Sequence, residues 1–183
     1  MIGKRITLIT GIVLAFAVTS CEGLLDLGLE IDTDTTTVEF TVLPTDVTGE
    51  QIFATSIVDS ELDSTLAEND LTLDELTSVK LKEATIELLN EDETVNFDFF
   101  ECLEATIEVD GLPETVIAVA DSIPAGARKI TCKVMPEELL PFLEHNQYTL
   151  RAKGVSTAPI NDTLYIKGQL KFAIHAPASD LAE

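Results

Sequence analysis

The chain has 183 residues, of which 33 are acidic and 11 are Lys or Arg, giving a formal net charge of −22. Such a negative surface repels nucleic-acid phosphates, which argues against any role in binding DNA or RNA. Hydrophobic residues make up 45% of the chain, so it is not a disordered polyanion. The chain has no Trp and two Tyr, which disfavours base stacking and flat sugar-binding platforms.

The first 21 residues have the pattern of a secretion signal that ends in a cysteine. Lys4 and Arg5 form a short positive region, and an almost wholly apolar run follows from Ile6 to Val18. This run is too short to span a bilayer, which takes roughly 20 residues, but it suits the core of a signal peptide. We therefore predict a signal peptide at residues 1–20. The alternative is an uncleaved signal anchor with an incidental cysteine.

The end of this segment, Val18-Thr19-Ser20-Cys21, resembles the lipobox of bacterial lipoproteins. The resemblance covers residues 1–21. It implies a diacylglyceryl thioether on Cys21, cleavage before it, and acylation of the new amino group. Three acyl chains anchor a protein firmly, whereas one holds it only marginally. The resemblance therefore implies a lipid-anchored protein of the cell envelope, with the outer membrane favoured and either its periplasmic or its surface face open.

Cleavage before Cys21 would leave nine basic and 33 acidic residues, a net charge of −24. Anionic headgroups repel such a chain, so the lipid must provide the attachment to the membrane. We predict a lipidated tether over residues 21–36 and a single domain over residues 37–183. Apolar and polar residues alternate from Leu25 to Asp32, which is strand periodicity and predicts that part of the tether pairs with the domain.

The domain has the pattern of short strands separated by turns. The predicted strands are residues 38–42, 51–58, 79–89, 103–109, 115–120, 130–134, 148–152 and 164–174. A polar loop with about one helical turn is predicted at 60–70, and no predicted helix is long enough for a parallel crossover. This arrangement favours an all-β antiparallel sandwich with one or two short helices.

Two further local patterns predict short helices, and one predicts core. Thr72 and Glu75 have the spacing of a capping box and open a short helix. Pro136 begins a second helix at its first position, and Pro141 shortens or kinks that helix. The aromatic cluster at 97–100 is interpreted as core rather than as the wall of a ligand site.

Two cysteines remain after lipidation, and an oxidising compartment would allow Cys102 and Cys132 to form a disulfide. Cys132 has the parity of Ile130 and Val134 on the core face of its strand. Cys102 has the parity of Glu104 on a polar face, which argues against pairing. The sequence leaves a disulfide and two free thiols as alternatives.

No catalytic, metal or cofactor motif is found in the sequence. There is no G-x-S-x-G nucleophile elbow. His145 and His175 lie far apart in different elements without a cysteine pair at ligand spacing, which disfavours zinc. Asp32-Thr33-Asp34 lacks the remaining ligands of a calcium loop. We therefore expect no catalytic residue, no metal ligand and no cofactor.

Beyond the lipobox, residues 97–175 resemble a group of uncharacterised Gram-negative envelope lipoproteins. The matching segments are Asn96-Phe97-Asp98-Phe99, Gly111-Leu112-Pro113, the helical element from Pro136 to Leu143, and Tyr148 to Gly154. The strand order is also similar to the fibronectin-III-like sandwich of LEA-type desiccation proteins. These resemblances imply an immunoglobulin-, fibronectin-III- or LEA-like sandwich, and a resemblance in fold does not carry a function.

Three functional hypotheses follow. The preferred one is a non-enzymatic envelope lipoprotein, held at the membrane through Cys21, whose sandwich binds or assembles with a partner by strand addition. The second is an accessory glycan-binding lipoprotein, which predicts an exposed aromatic or acidic cluster on the loops. The third is a hydrolase without a recognisable motif, which predicts a large pocket with converging carboxylates or histidines.

Overall fold

The computed structural model describes residues 28–177, which form two antiparallel sheets packed face to face. The strands are β1 (Leu29–Asp32), β2 (Thr36–Val42), β3 (Gly49–Asp59), β4 (Ser78–Leu88), β5 (Phe100–Glu108), β6 (Thr115–Ala120), β7 (Lys129–Thr131), β8 (Lys133–Val134), β9 (Gln147–Ser156) and β10 (Leu164–Ala176). Two short helices, α1 (Leu62–Glu68) and α2 (Leu140–Leu143), and a 3-10 turn at Leu73–Glu75 connect them. The predicted all-β sandwich is confirmed.

The first sheet is organised around β10, its longest strand. β4 pairs with one edge of β10 and continues the sheet to β7, while β1 and β2 share the other edge. β2 covers the first half of β10, with Val42 opposite Leu164, and β1 covers the end, with Leu29 opposite Ala176. The second sheet has the order β3-β9-β5-β6-β8. Every pairing in both sheets is antiparallel, as expected for a sandwich with short connections.

β1 joins the predicted tether to the domain. Its four residues pair with β10, so the prediction that part of the tether pairs with the domain is confirmed for them. Lys82 of β4 contacts Glu30 at 2.7 Å and Asp32 at 2.6 Å, and Lys171 of β10 contacts Asp32 at 2.7 Å. Exposed ion pairs of this kind contribute little each, so the backbone pairing holds β1 in place. Cys21 and the predicted signal peptide lie outside the described residues.

The predicted single strand at residues 130–134 is two strands in different sheets. β7 pairs with β4 in the first sheet, and β8 pairs with β6 in the second. Between them the backbone N–H of Cys132 donates to the carbonyl oxygen of Ala84 at 2.9 Å. The chain therefore crosses between the sheets at Cys132 and closes this side of the sandwich. Ile130 and Val134 keep the same parity through the crossing, so the sequence pattern does not reveal it.

The prediction of a helix that begins at Pro136 is wrong. The helix α2 begins four residues later and has Pro141 in its first turn. Proline lacks the N–H that an interior position needs, so the first turn is where a helix accepts it. Glu138 lies before α2, and its Oε1 accepts hydrogen bonds from the N–H groups of Leu140 at 3.0 Å and Val79 at 2.7 Å. This acidic side chain therefore joins the start of α2 to β4.

The capping box at Thr72 is confirmed, but the helix it opens is a single 3-10 turn. The Glu75 carboxylate accepts hydrogen bonds from the backbone N–H and from the hydroxyl of Thr72, the latter at 2.8 Å. These bonds hold the pKa of Glu75 below its ordinary value. β4 begins three residues after this turn, which limits the helix to its first hydrogen bonds.

The core of the sandwich consists of two hydrophobic clusters. One lies at the end that carries α1 and α2, and the other surrounds Phe97 and Phe100, which are 0% and 4% exposed. Phe100 packs against Phe53 of β3 with ring centroids 4.7 Å apart in an edge-on arrangement. The interpretation of the aromatic cluster as core is therefore confirmed. Cys132, at the crossing between the sheets, packs against both clusters.

Candidate functional site

The two cysteines that the sequence left undecided are free thiols. Cys132 packs into the core, and burial raises the pKa of its thiol to about 11. Cys102 belongs to neither core cluster and lies opposite Val155 of β9. The parity argument against a disulfide thus agrees with the structure, because one side chain packs between the sheets and the other does not.

The two histidines lie in different parts of the described structure and do not come together with other metal-ligating side chains. His145 is exposed after α2, with its Nδ1 3.0 Å from the carbonyl oxygen of Pro141. His175 lies near the end of β10, opposite Glu30 of β1. Among residues 28–177 no group of three His, Cys, Asp or Glu side chains is placed to hold a metal ion. No helix in the same range is long and apolar enough to cross a membrane.

Charge is distributed very unevenly along the chain. Residues 28–79 contain 13 acidic residues and no Lys, Arg or His, so all nine basic residues of the predicted mature chain follow that segment. β2, β3 and α1 belong to the acidic segment. The edge of the sandwich where β2 and β3 lie is therefore negative, with no basic residue on its own strands.

The cations nearest to β3 are already neutralised by other acids. Arg151 of β9 contacts Glu108 and Glu114, and Lys153 of β9 contacts Glu114 at 2.6 Å. Hydrogen bonds from Lys153 and Thr106 lower the pKa of Glu114 to about 2. Arg151 and Lys153 therefore form ion pairs on the β5 side of β9 and do not neutralise the acidic side chains near β3.

β3 is a long edge strand with apolar side chains in solvent. It has 11 residues, about twice the average strand, and pairs with β9 along one edge, while the described residues place no strand on its other edge. Ile52 and Ile57 on its outer face are 56% and 72% exposed. β3 contains neither Lys nor Pro, the residues that commonly protect an edge, and its charges, Glu50 and Asp59, lie near its ends. We call this free edge of Gly49–Asp59 the docking edge.

The sequence predicted a strand at residues 51–58 but not that it lies at an edge or exposes isoleucines. A bulge between Ile52 and Ala54 changes the parity within β3, so the two exposed isoleucines are five positions apart and break a simple alternation. The loop before β3 adds Leu43 and Val47, which are 68% and 59% exposed. The feature of the sequence that could have indicated this surface is the lack of Lys, Arg and His in residues 28–79.

The chain matches no protein-family model, and no curated protein is significantly similar to it in sequence. A solved structure of Cocksfoot mottle virus matches at 12% identity over 97% of this chain and 98% of that chain, with a TM-score of 0.28. A structure of Desmodium yellow mottle tymovirus matches at 12% identity over the whole of both chains, with a TM-score of 0.25. TM-scores this low carry no conclusion about this chain.

Proposed function

We propose that this chain is a lipid-anchored, non-enzymatic binding or assembly module of the cell envelope. The observation that carries the proposal is Cys21, which follows a small residue at the boundary of a signal-like apolar run. A tether of at most seven residues, 22–28, would separate the lipid from β1. The sandwich would then work close to an outer-membrane surface, where it meets extended segments of other envelope proteins.

The docking edge supports strand addition as the mode of binding. An extended partner segment would pair its backbone with the free edge of β3 and lay alternate side chains against Ile52 and Ile57. Because β2 and β3 carry acids and no basic residue, and Arg151 and Lys153 of β9 already pair with Glu108 and Glu114, the partner segment is basic as well as apolar. A second copy of this chain would present the same acidic edge and be repelled, so the partner is a different protein.

Glycan binding is the second candidate function, supported by the surroundings of Tyr165. Tyr165 is 52% exposed and is the one aromatic among the large hydrophobic side chains exposed in the described range. It borders a surface cleft with Glu39, Asn90 and Glu91. An aromatic face beside carboxylate and amide groups can bind a sugar ring. If this candidate is correct, Tyr165→Ala abolishes retention on envelope polysaccharide, while Ile57→Lys leaves it unchanged.

The anchor is tested by the intact mass of the protein purified from membranes of its own host, beside Cys21→Ala. The expected mass corresponds to residues 21–183 plus about three acyl chains, and the variant should carry no lipid. A mass of all 183 residues without lipid would contradict the anchor and require an uncleaved membrane-embedded segment.

The docking edge is tested with synthetic peptides in which apolar residues alternate with lysine, added to the full-length protein. Binding should slow amide hydrogen exchange in β3, and peptides with glutamate in place of lysine should not bind. Ile57→Lys should abolish the protection because it adds a positive charge and removes an apolar contact. Leu73→Lys makes the same type of change on the 3-10 turn and should bind normally. Equal loss in both variants, or protection outside β3, would contradict the assignment.

A further inference from the structure

Tyr165 lies on the outer face of the first sheet, in a cleft that also contains two glutamates. It is the second residue of β10 and lies opposite Thr41 of β2. Glu39 precedes Thr41 by two residues and therefore shares its face of β2. Glu91 follows the end of β4, the strand that pairs with the other edge of β10. We call the surface cleft lined by Tyr165, Glu39 and Glu91 the tyrosine cleft.

Hydrogen bonds hold the wall of the tyrosine cleft in place. The side-chain amide of Asn90 accepts a hydrogen bond from the backbone N–H of Tyr165 at 3.0 Å and donates one to the carbonyl oxygen of Thr163 at 2.7 Å. The Arg128 guanidinium donates to the carbonyl oxygens of Asn90 and Val95, the latter at 3.0 Å. The cleft is therefore formed before a ligand arrives, which lowers the entropy that binding costs.

The two carboxylates of the cleft are not neutralised by a neighbouring base. Among the ion pairs in the described part of the chain, none includes Glu39 or Glu91. Lys167 lies opposite Glu39 but contacts Glu87 at 3.4 Å. Arg128 is occupied by the backbone carbonyl groups of the loop. The tyrosine cleft thus combines an aromatic ring with negative charge.

This combination favours a sugar that carries a positive charge. The face of an aromatic ring attracts a cation and offers an apolar surface on which a sugar ring can pack. An ammonium group is attracted by the carboxylates, whereas an N-acetyl group is neutral and a uronic acid is repelled.

The size and openness of the cleft suit an oligosaccharide. Its volume is about 580 Å³, within the range of roughly 300–1,000 Å³ typical of small-molecule sites. Tyr165 and Leu89 are 52% and 41% exposed, so the cleft opens to solvent and a chain of sugars can lie across it.

We propose that the tyrosine cleft binds a glycan with free amino groups, built from 2-amino-2-deoxy sugars that are not acetylated. One sugar ring packs against Tyr165. β2 and β4 are two strand spacings apart, about 10 Å, so Glu39 and Glu91 pair with the ammonium groups of different sugars in the chain. This inference rests on the glycan candidate and adds the charge of the sugar.

The test uses the full-length protein with ¹³C-labelled tyrosine rings, in a non-ionic detergent without sugar headgroups. At about pH 5.5 the carboxylates are ionised and the sugar amines are protonated. The chain has two tyrosines, and Tyr148 is only 3% exposed, so it is the internal control. Titration with hexaglucosamine should shift the ring resonances of Tyr165 saturably and leave those of Tyr148 unchanged. Cellohexaose, hexa-N-acetylglucosamine and hexalysine should bind about tenfold more weakly or less.

Glu39→Gln and Glu91→Gln should each weaken the binding of hexaglucosamine by up to about fivefold, because each removes one exposed ion pair. The double variant should weaken it by about tenfold or more. Glu137→Gln makes the same change of charge at an exposed position before α2 and should bind like the wild type. Unchanged resonances of Tyr148 in every variant report an intact core.

The outcomes separate this inference from the glycan candidate on which it rests. Equal binding of cellohexaose and hexaglucosamine would overturn the choice of an amino sugar and leave the glycan candidate in place. Binding of none of the oligosaccharides, or equal binding of hexalysine, would overturn both. An equal loss of binding in Glu137→Gln would overturn the assignment to the cleft, because the total charge of the protein would then attract the sugar.

Discussion

Gly154 of β9 occupies a position where two strands come closer than a side chain allows. A Cβ atom there would clash with the carbonyl oxygen of Cys102 and lie 2.9 Å from Cδ2 of Leu103. The close approach coincides with the register shift at the start of β5. Elsewhere in a strand glycine is unfavourable, because it packs no side chain and loses more backbone entropy on folding. At position 154 the steric clash that glycine avoids outweighs its lost packing and backbone entropy.

We predict that Gly154→Ala lowers the free energy of unfolding by about 1–3 kcal/mol, the usual effect of overpacking. Gly168→Ala in β10 is the matched control, because its Cβ would make ordinary contacts at 3.6 Å with the Val38 carbonyl oxygen and 3.9 Å with Phe40. That substitution should be neutral or stabilise by about 0.5–1 kcal/mol. Denaturant unfolding of both variants is the measurement. Changes of the same sign would contradict the steric argument.

Other single residues followed from the sequence alone. The burial of Phe97 and Phe100 and the packing of Cys132 against the core were predicted from residue type and strand parity. Local hydrogen bonding placed the capping box at Thr72. Gly154 could not be singled out in this way, because its constraint comes from a backbone about fifty residues away in sequence.

Among the elements, Glu114 joins the loop between β5 and β6 to β9. Its carboxylate contacts Lys153 at 2.6 Å and Arg151 at 3.2 Å and accepts a hydrogen bond from the hydroxyl of Thr106 at 2.5 Å. These partners lower its pKa from 4.5 to about 2. A carboxyl with a lowered folded-state pKa stabilises the protein fully above its unfolded pKa. That contribution is lost as the pH falls through the folded pKa.

We therefore predict that Glu114→Gln lowers stability by a constant amount above about pH 5, on the order of 1 kcal/mol after solvent screening is considered. The difference from the wild type should shrink between pH 4.5 and pH 2 and vanish below that range. Denaturant unfolding of the variant and the wild type at a series of pH values measures this difference in the free energy of unfolding. Asp110→Asn, which removes an exposed carboxylate of the same turn, is the control. A difference that does not change with pH would contradict the role of Glu114.

Two elements departed from the sequence prediction for identifiable reasons. The predicted strand at 130–134 is divided between the two sheets, because its first part pairs with β4 and its second part with β6. The alternation of its side chains continues unchanged through the division. The helix near Pro136 begins later, because Pro141 fits only in a first turn and Glu138 binds two backbone N–H groups before it. Pairing with strands distant in sequence decided the first case, whereas in the second the local constraint of Pro141 acted together with the distant hydrogen bond from Val79 to Glu138.

For the whole molecule, the excess of acidic over basic residues determines how electrostatic interactions affect its stability. The ion pairs of the described residues lie at the surface, with side chains 24–56% exposed, while β2, β3 and α1 carry acids and no base. Like charges on this scale destabilise a compact state. The Debye length falls from about 30 Å at 0.01 M salt to about 8 Å at 0.15 M, so added salt screens repulsion across the whole acidic edge.

We predict that raising NaCl from about 10 mM to about 150 mM increases the Tm of the full-length protein. Choline chloride at equal ionic strength should produce the same increase, because screening does not depend on the cation. Scanning calorimetry in a non-ionic detergent provides the measurement. A fall in Tm with salt would mean that the exposed ion pairs outweigh the self-repulsion. A rise with sodium alone would indicate a specific cation site instead.

The sequence by itself determined the approximate positions of most strands and, where the alternation is unbroken, which face of a strand is buried, because side chains alternate with period two along a strand. It failed at β3, where a bulge changes the parity, and at residues 130–134, which divide between the sheets. It also carries the prediction of an anchor at Cys21, because a lipobox is a linear pattern. Only the tertiary structure decided which strands are neighbours. The edge position of β3 and the crossing at Cys132 each depend on pairing between segments far apart in the chain. Register is set by the packing of the two sheets as a unit, and no local pattern contains it.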